Sequence, residues 1–137
     1  GLLDKDIKLK IEKLNNAKTI LIENFSDNEK VNIFNQIDIF INPSISESFG
    51  ITFIEAWAAK KPVIGANIGS VKSLIENDVN GLVFDGNNSG DLANKIILLK
   101  DNPRLRSKYA KAGFELVKSR YTWNHIINKI DDIIKNI

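Results

Sequence analysis

Two glutamates, Glu47 and Glu55, stand eight positions apart in a stretch of small and polar residues that also carries a glycine. It reads Asn42-Pro43-Ser44-Ile45-Ser46-Glu47-Ser48-Phe49-Gly50-Ile51-Thr52-Phe53-Ile54-Glu55-Ala56. Gly50 tolerates backbone conformations and close approaches denied to other residues. If a helix begins there, the amides of Gly50, Ile51 and Thr52 point out of its start, where the dipole favours an anion. A diphosphate fits such a place without any lysine. Glu55 would then lie a little over one turn into the helix. Its two acceptor oxygens suit a vicinal diol such as a ribose 2′,3′ pair and suit phosphate poorly. Glu47, in the loop ahead, would face a sugar carried on the second phosphate. There it can accept from sugar hydroxyls and favour positive charge developing at an anomeric carbon. Spacing alone also fits a plainer alternative: a solvated loop residue at 47 and an ordinary exposed helix residue at 55.

The elements around this stretch alternate. Leu3 to Asn16 has helical spacing, with Ile7, Leu9, Ile11 and Leu14 among Lys and Glu. Thr19-Ile20-Leu21-Ile22 is a short β-branched run that predicts a first strand. Ser26-Asp27-Asn28-Glu29 fits a capping box opening a helix to about Gln36. Ile37 to Ile41 predicts a second strand, Gly50 to Lys60 a helix, and Pro62 to Ala66 a third strand. A short helix from Gly69 through Glu76, a turn over Asn77 to Gly81 and a fourth strand, Leu82 to Phe84, follow. The rest predicts helices over Asp91–Lys100, Pro103–Ser119 and Thr122–Asn136. Strands alternating with helices mean an α/β fold, a Rossmann-like parallel sheet flanked by helices. Ligands of such sheets bind at the carboxyl ends of the strands, which points to the loop from Asn42 to Gly50.

Composition narrows the classes. With 137 residues there is room for one domain with a real core, spanning 1–137. Hydrophobic residues at 43% and charged residues at 26% argue against disorder. A net charge of +2, with no basic run and no interleaved aromatics, argues against a nucleic-acid partner. The chain has no cysteine and one histidine, His125, which excludes thiolate and multi-histidine metal sites. No apolar run is long enough for a membrane span and no signal peptide opens the chain, so the expected address is cytoplasmic. Methionine is missing even from the start, which leads to the expectation that this is part of a longer enzyme.

The motif Pro43-Ser44-x-x-Glu47-Ser48-Phe49-Gly50-x-x-x-x-Glu55-Ala56 resembles the signature of the glycosyltransferase group 1 family, also called family 4. The resemblance continues through Ala58-Ala59-Lys60-Lys61-Pro62-Val63-Ile64, Asn80-Gly81-Leu82-Val83, Asp91-Leu92, Asn102-Pro103 and Tyr121-Thr122-Trp123, so it covers most of the chain. It implies the GT-B architecture, two Rossmann-like lobes closing over a nucleotide sugar and an acceptor, with this chain as the C-terminal, donor-binding lobe. It further implies transfer with retention, no metal and no cofactor beyond the nucleoside-diphosphate sugar that serves as donor. By position, Glu47 is the expected catalytic contact to the donor sugar and Glu55 the ribose ligand. Ser48, Phe49, Gly50, Ile51 and Thr52 are the expected main-chain and hydroxyl contacts to sugar and diphosphate.

Departures from the family pattern are specific. Lys60 stands where the family often has Gly, Ser73 where it often has Glu, and Glu23-Asn24 where a glycine follows the first strand. Nothing before Thr19 matches the lobe's usual two opening strands or the Arg and Lys that bind diphosphate. The acceptor, a glycan, lipid or small molecule, would be held by an N-terminal lobe this sequence lacks, so the chain by itself is expected to transfer no sugar. A peripheral membrane position is compatible with the full-length enzyme. Trp57 and Trp123 are expected to be packing residues rather than sugar platforms, and His125 a packed or surface residue. The stripe Ile126, Ile127, Ile130, Ile133 and Ile134 reads as a helix face whose exposure would favour self-association. A non-catalytic nucleotide-sugar binding module and a sugar epimerase of the same two-lobed fold are the alternative functions.

Overall fold

A computed structural model describes residues 19–125 together with Ile127 and Asp131. Contacts gather the chain into two compact units, Gly1–Asn32 and Ile33–Ile137. The predicted helix over Leu3–Asn16 lies outside the described residues, as do Ile126, Ile130, Ile133 and Ile134 of the last apolar stripe.

In the first unit, Ser26 and Glu29 close the predicted capping box at the start of α1 (Asp27–Gln36). The Glu29 carboxylate accepts from the Ser26 amide at 2.8 Å and hydroxyl at 2.7 Å, and that hydroxyl accepts the Glu29 amide at 3.3 Å. The expected strand at Thr19–Ile22 does not form, and Ile20, Leu21 and Ile22 are exposed. β-branched residues favour a pleated surface only where a neighbouring strand supplies the ladder, and four residues cannot hold a strand alone. Asn24 takes a left-handed backbone, φ 56°, beside the position where relatives often carry glycine. Asn is among the few side chains that tolerate it.

The second unit is a three-stranded parallel sheet of order β1-β2-β3, formed by Phe40–Asn42, Val63–Ala66 and Leu82–Phe84. Phe40 pairs with Val63, and Ile64 with Leu82. β1 is shorter than the predicted Ile37–Ile41 and ends one residue later, because Phe40 is where pairing with β2 begins. The other elements are α2 (Ile51–Ala58), α3 (Gly69–Leu74), α4 (Ser89–Asp101) and α5 (Pro103–Arg120).

β2 is buried along its whole length, so its two-residue alternation feeds two cores. Val63 packs with Phe53, Ala56 and Trp57 of α2 and with Val71 and Leu74 of α3. Ile64 and Ala66 pack with Leu82, Phe84, Leu99 of α4 and Tyr109 of α5. Phe40 meets Phe34 in a tilted pair at a centroid separation of 5.4 Å and Phe53 edge to face at 5.7 Å.

Trp57 is completely buried, as expected of a packing residue, and its indole N–H donates to the Asn80 carbonyl at 3.0 Å. Gly113 lets α5 reach this indole: a Cβ there would stand 2.0 Å from Trp57 Cδ1. Trp123 behaves otherwise, being 78% exposed, and it belongs to neither core among the described residues. His125 is exposed too. Lys60, at the end of α2, adopts φ 57° in place of the family's glycine. Its ammonium lies 5.0 Å from the Phe114 ring centroid, a cation–π contact.

Candidate functional site

β1 ends at its carboxyl edge in Asn42, and both polar ends of that side chain are used. The Asn42 side-chain oxygen Oδ1 accepts the Ser44 amide, two residues on, at 3.0 Å in a tight Asx turn. Asn42 Nδ2 donates to Glu47 Oε2 at 3.2 Å. Ser44 braces the bend: its hydroxyl donates to the Ser46 carbonyl at 2.8 Å and accepts the Ser46 amide at 3.3 Å.

The second oxygen of Glu47 turns toward the helix. Oε1 accepts the amides of Ser48 and Gly50, each at 3.0 Å. The Gly50 amide is the main influence holding the Glu47 carboxyl below the ordinary glutamate range. The Phe49 and Ser48 amides and Asn42 add to it, while desolvation opposes it. From across the loop the Ser70 hydroxyl donates to the Glu47 main-chain carbonyl, tying the loop to α3.

Gly50 is the hinge of this arrangement. Its φ of 68° is left-handed, and a Cβ would come within 2.7 Å of Leu74 Cδ2 and 3.1 Å of Phe53 Cδ2. Its carbonyl starts α2 by accepting the Phe53 amide at 3.0 Å. Here the sequence expectation is corrected in one respect. The Gly50 amide is not open, because the anion resting on it is the chain's own Glu47 carboxylate. The amides of Ile51 and Thr52 have no backbone acceptor among the described residues, as expected at a helix start.

Glu47, Ser48 and Gly50 are thus joined by direct hydrogen bonds. Thr52 and Glu55 lie three positions apart on α2, and so share one face of the helix. Thr52 is exposed and Glu55 half-buried. Phe49 and Ile51 turn their side chains outward, at 80% and 61% exposure. Asn42 and Ser70 contact Glu47 directly, yet neither stood among the expected site residues. An Asn-Pro-Ser sequence at a strand end does signal an Asx turn. Ser70 gave no signal, since its partner lies 23 residues away. Ser73, in place of the family's glutamate, spends its hydroxyl on the Gly69 carbonyl at 3.2 Å.

Residues 1–116 match the family model for glycosyl transferases group 1, and the chain belongs to that family. Over 137 residues it is 28% identical to an uncharacterized glycosyltransferase of Methanocaldococcus jannaschii, which covers all of this chain and 39% of that relative. The solved C-terminal domain of the glycosyl transferase group 1 protein LpcC from Francisella tularensis is 30% identical, with a TM-score of 0.76 over 87% of this chain and 62% of that one. Anabaena HepE, solved with UDP, shares the fold, with a TM-score of 0.86 at 22% identity over 97% of this chain and 36% of that one. The chain therefore spans well under half the length of the archaeal relative and of HepE. The fold is that of GT-B glycosyltransferases. Among the described residues no helix is long and apolar enough to cross a membrane.

Proposed function

We propose that this chain is the donor-binding part of a retaining glycosyltransferase, which moves a sugar from a nucleoside-diphosphate sugar to a hydroxyl-bearing acceptor. The observation that carries this reading is the Glu47 carboxylate. It is fixed by Asn42, Ser48 and Gly50 at the carboxyl edge of a parallel sheet, directly before the helix that bears Glu55. Glu55 accepts hydrogen bonds from the ribose diol. The start of α2, with the amides of Ile51 and Thr52, receives the diphosphate as leaving group. Glu47 faces the transferring sugar, accepts from its hydroxyls and favours the positive charge that grows on the anomeric carbon. The work of the site is positioning and electrostatics, with the acceptor oxygen attacking from the face the diphosphate leaves. A cytoplasmic address and a role in glycan building belong to the same reading.

Anabaena HepE was solved with UDP, which makes uridine diphosphate sugars the first donors to try. The test is to screen the intact protein against a panel of nucleotide sugars by thermal shift. The stabilising donors are then followed for release of free nucleoside diphosphate with and without candidate acceptors. Acceptor-dependent release is the expected result. Binding with no release under any acceptor would leave a nucleotide-sugar binding module and overturn the transferase reading.

A further inference from the structure

The amide of Asn42 is divided between two tasks. Its oxygen closes the turn onto Ser44 at 3.0 Å, and its nitrogen holds Glu47 Oε2 at 3.2 Å. The turn bond fixes which end of the amide faces which partner, since only the oxygen can accept the Ser44 amide. The –NH2 group is thereby committed to the carboxylate. Glu47 Oε1 is already held by the Ser48 and Gly50 amides. Asn42 supplies the contact to the other oxygen, and with it the carboxylate plane is set about both of its C–O directions.

From this geometry we infer that Asn42 is a positioning residue for Glu47, orienting the carboxylate that faces the transferring sugar. Its functional half rests on the role proposed for Glu47. The contact itself does not. A strand-end residue is well suited to the task, because Asn42 is paired in the sheet opposite Gly65 and moves only if β1 moves. A loop side chain would give the carboxylate a partner as mobile as itself.

Two variants separate the two tasks. Asn42→Asp keeps an oxygen for the Ser44 amide and turns the donor to Glu47 into a repelling oxygen. Asn42→Ser keeps a hydroxyl able to cap the turn and is too short to reach Glu47, with no charge added. The first readout is the amide resonance of Gly50, followed against pH by NMR in the 137-residue chain, since that proton sits on the Glu47 carboxylate. In both variants the acid midpoint should rise toward the ordinary glutamate range, more in Asn42→Asp, while the amide signals of Ile64 and Gly65 in β2 stay in place. An unmoved midpoint in both would overturn the inference. The second readout is sugar transfer by the intact protein. Turnover is expected to fall roughly tenfold, with affinity for the bare nucleoside diphosphate unchanged within twofold. A raised midpoint with undiminished turnover would overturn the positioning role of Asn42, whereas undiminished turnover in Glu47→Gln would instead overturn the role proposed for Glu47 itself.

Discussion

Glu47 Oε1 accepts the amide of Gly50 at 3.0 Å, so the residue that opens α2 with a left-handed backbone is held by the carboxylate three positions before it. The loop thereby carries its own anion at the place where a phosphate-bearing donor is expected to approach. A carboxylate in that position draws the nearby amides inward before any ligand arrives.

Glu47→Gln should leave the loop partly intact and the chemistry poor. The Gln oxygen can still accept the Ser48 and Gly50 amides, but its –NH2 group would confront the –NH2 of Asn42, which cannot turn without losing Ser44. Turnover in the intact protein is expected to drop on the order of a hundredfold, with affinity for the nucleoside diphosphate little changed. Equal losses in both quantities would make Glu47 a binding or structural residue.

Glu55→Ala tests the other end of the site. On the role proposed for Glu55, removing the acceptor would leave two ribose hydroxyls unpaired and should weaken donor binding by about 1.5–3 kcal/mol, the range for hydrogen bonds to charged groups. Calorimetric titration of a folded variant measures it directly. An affinity within twofold of the parent would end the ribose assignment.

Acid should undo what Glu47 contributes to the loop. Its carboxyl is held below the ordinary glutamate range, chiefly by the Gly50 amide. The contribution is therefore complete above the unfolded value and is lost as pH falls through the lower folded value. Urea unfolding of the parent and of Glu47→Gln should differ at pH 7, and the gap should shrink progressively as pH falls below the ordinary glutamate range. A gap that persists or widens in acid would contradict the direction of the shift.

Two glycines are predicted to resist substitution for different reasons. Gly50→Ala puts a side chain on a left-handed residue and drives its Cβ against Leu74. The cost should be about 2–5 kcal/mol, combining the backbone penalty with overpacking. Gly113→Ala has no backbone penalty, but it meets the rigid Trp57 ring at 2.0 Å, and parting α2 from α5 should cost about 1–3 kcal/mol or more. Chemical denaturation reads both. A loss under about 0.5 kcal/mol for Gly113→Ala would mean that the helices separate freely.

Much of this was legible in the sequence because local patterns were enough. Leu82–Phe84 is the strand expected, and the Ser26–Glu29 capping box and the helix entry at Gly50 formed where local chemistry placed them. Thr19–Ile22 misled because a strand is defined by a partner, and none pairs with it among the described residues. The fastening of Glu47 was hidden for the same kind of reason. Which amides a carboxylate takes depends on loop closure, and the Ser70 contact joins residues 23 apart in sequence. Trp123 was expected to pack because tryptophans usually do. It is 78% exposed and joins neither core among the described residues, a matter of tertiary neighbours that no residue-level propensity encodes.

The contrast between the chain's two indoles gives the protein an optical signature of its own. Trp57 is sealed between α2 and α5 with its N–H bonded to a carbonyl, whereas Trp123 stands in solvent. Trp57 should emit toward the blue and stay out of reach of a dissolved quencher such as acrylamide; Trp123 should emit toward the red and be quenched at once. Light from the quencher-resistant population therefore reports the integrity of the α2–α5 contact beneath the site. The quenchable population reports anything that comes to rest on Trp123 itself.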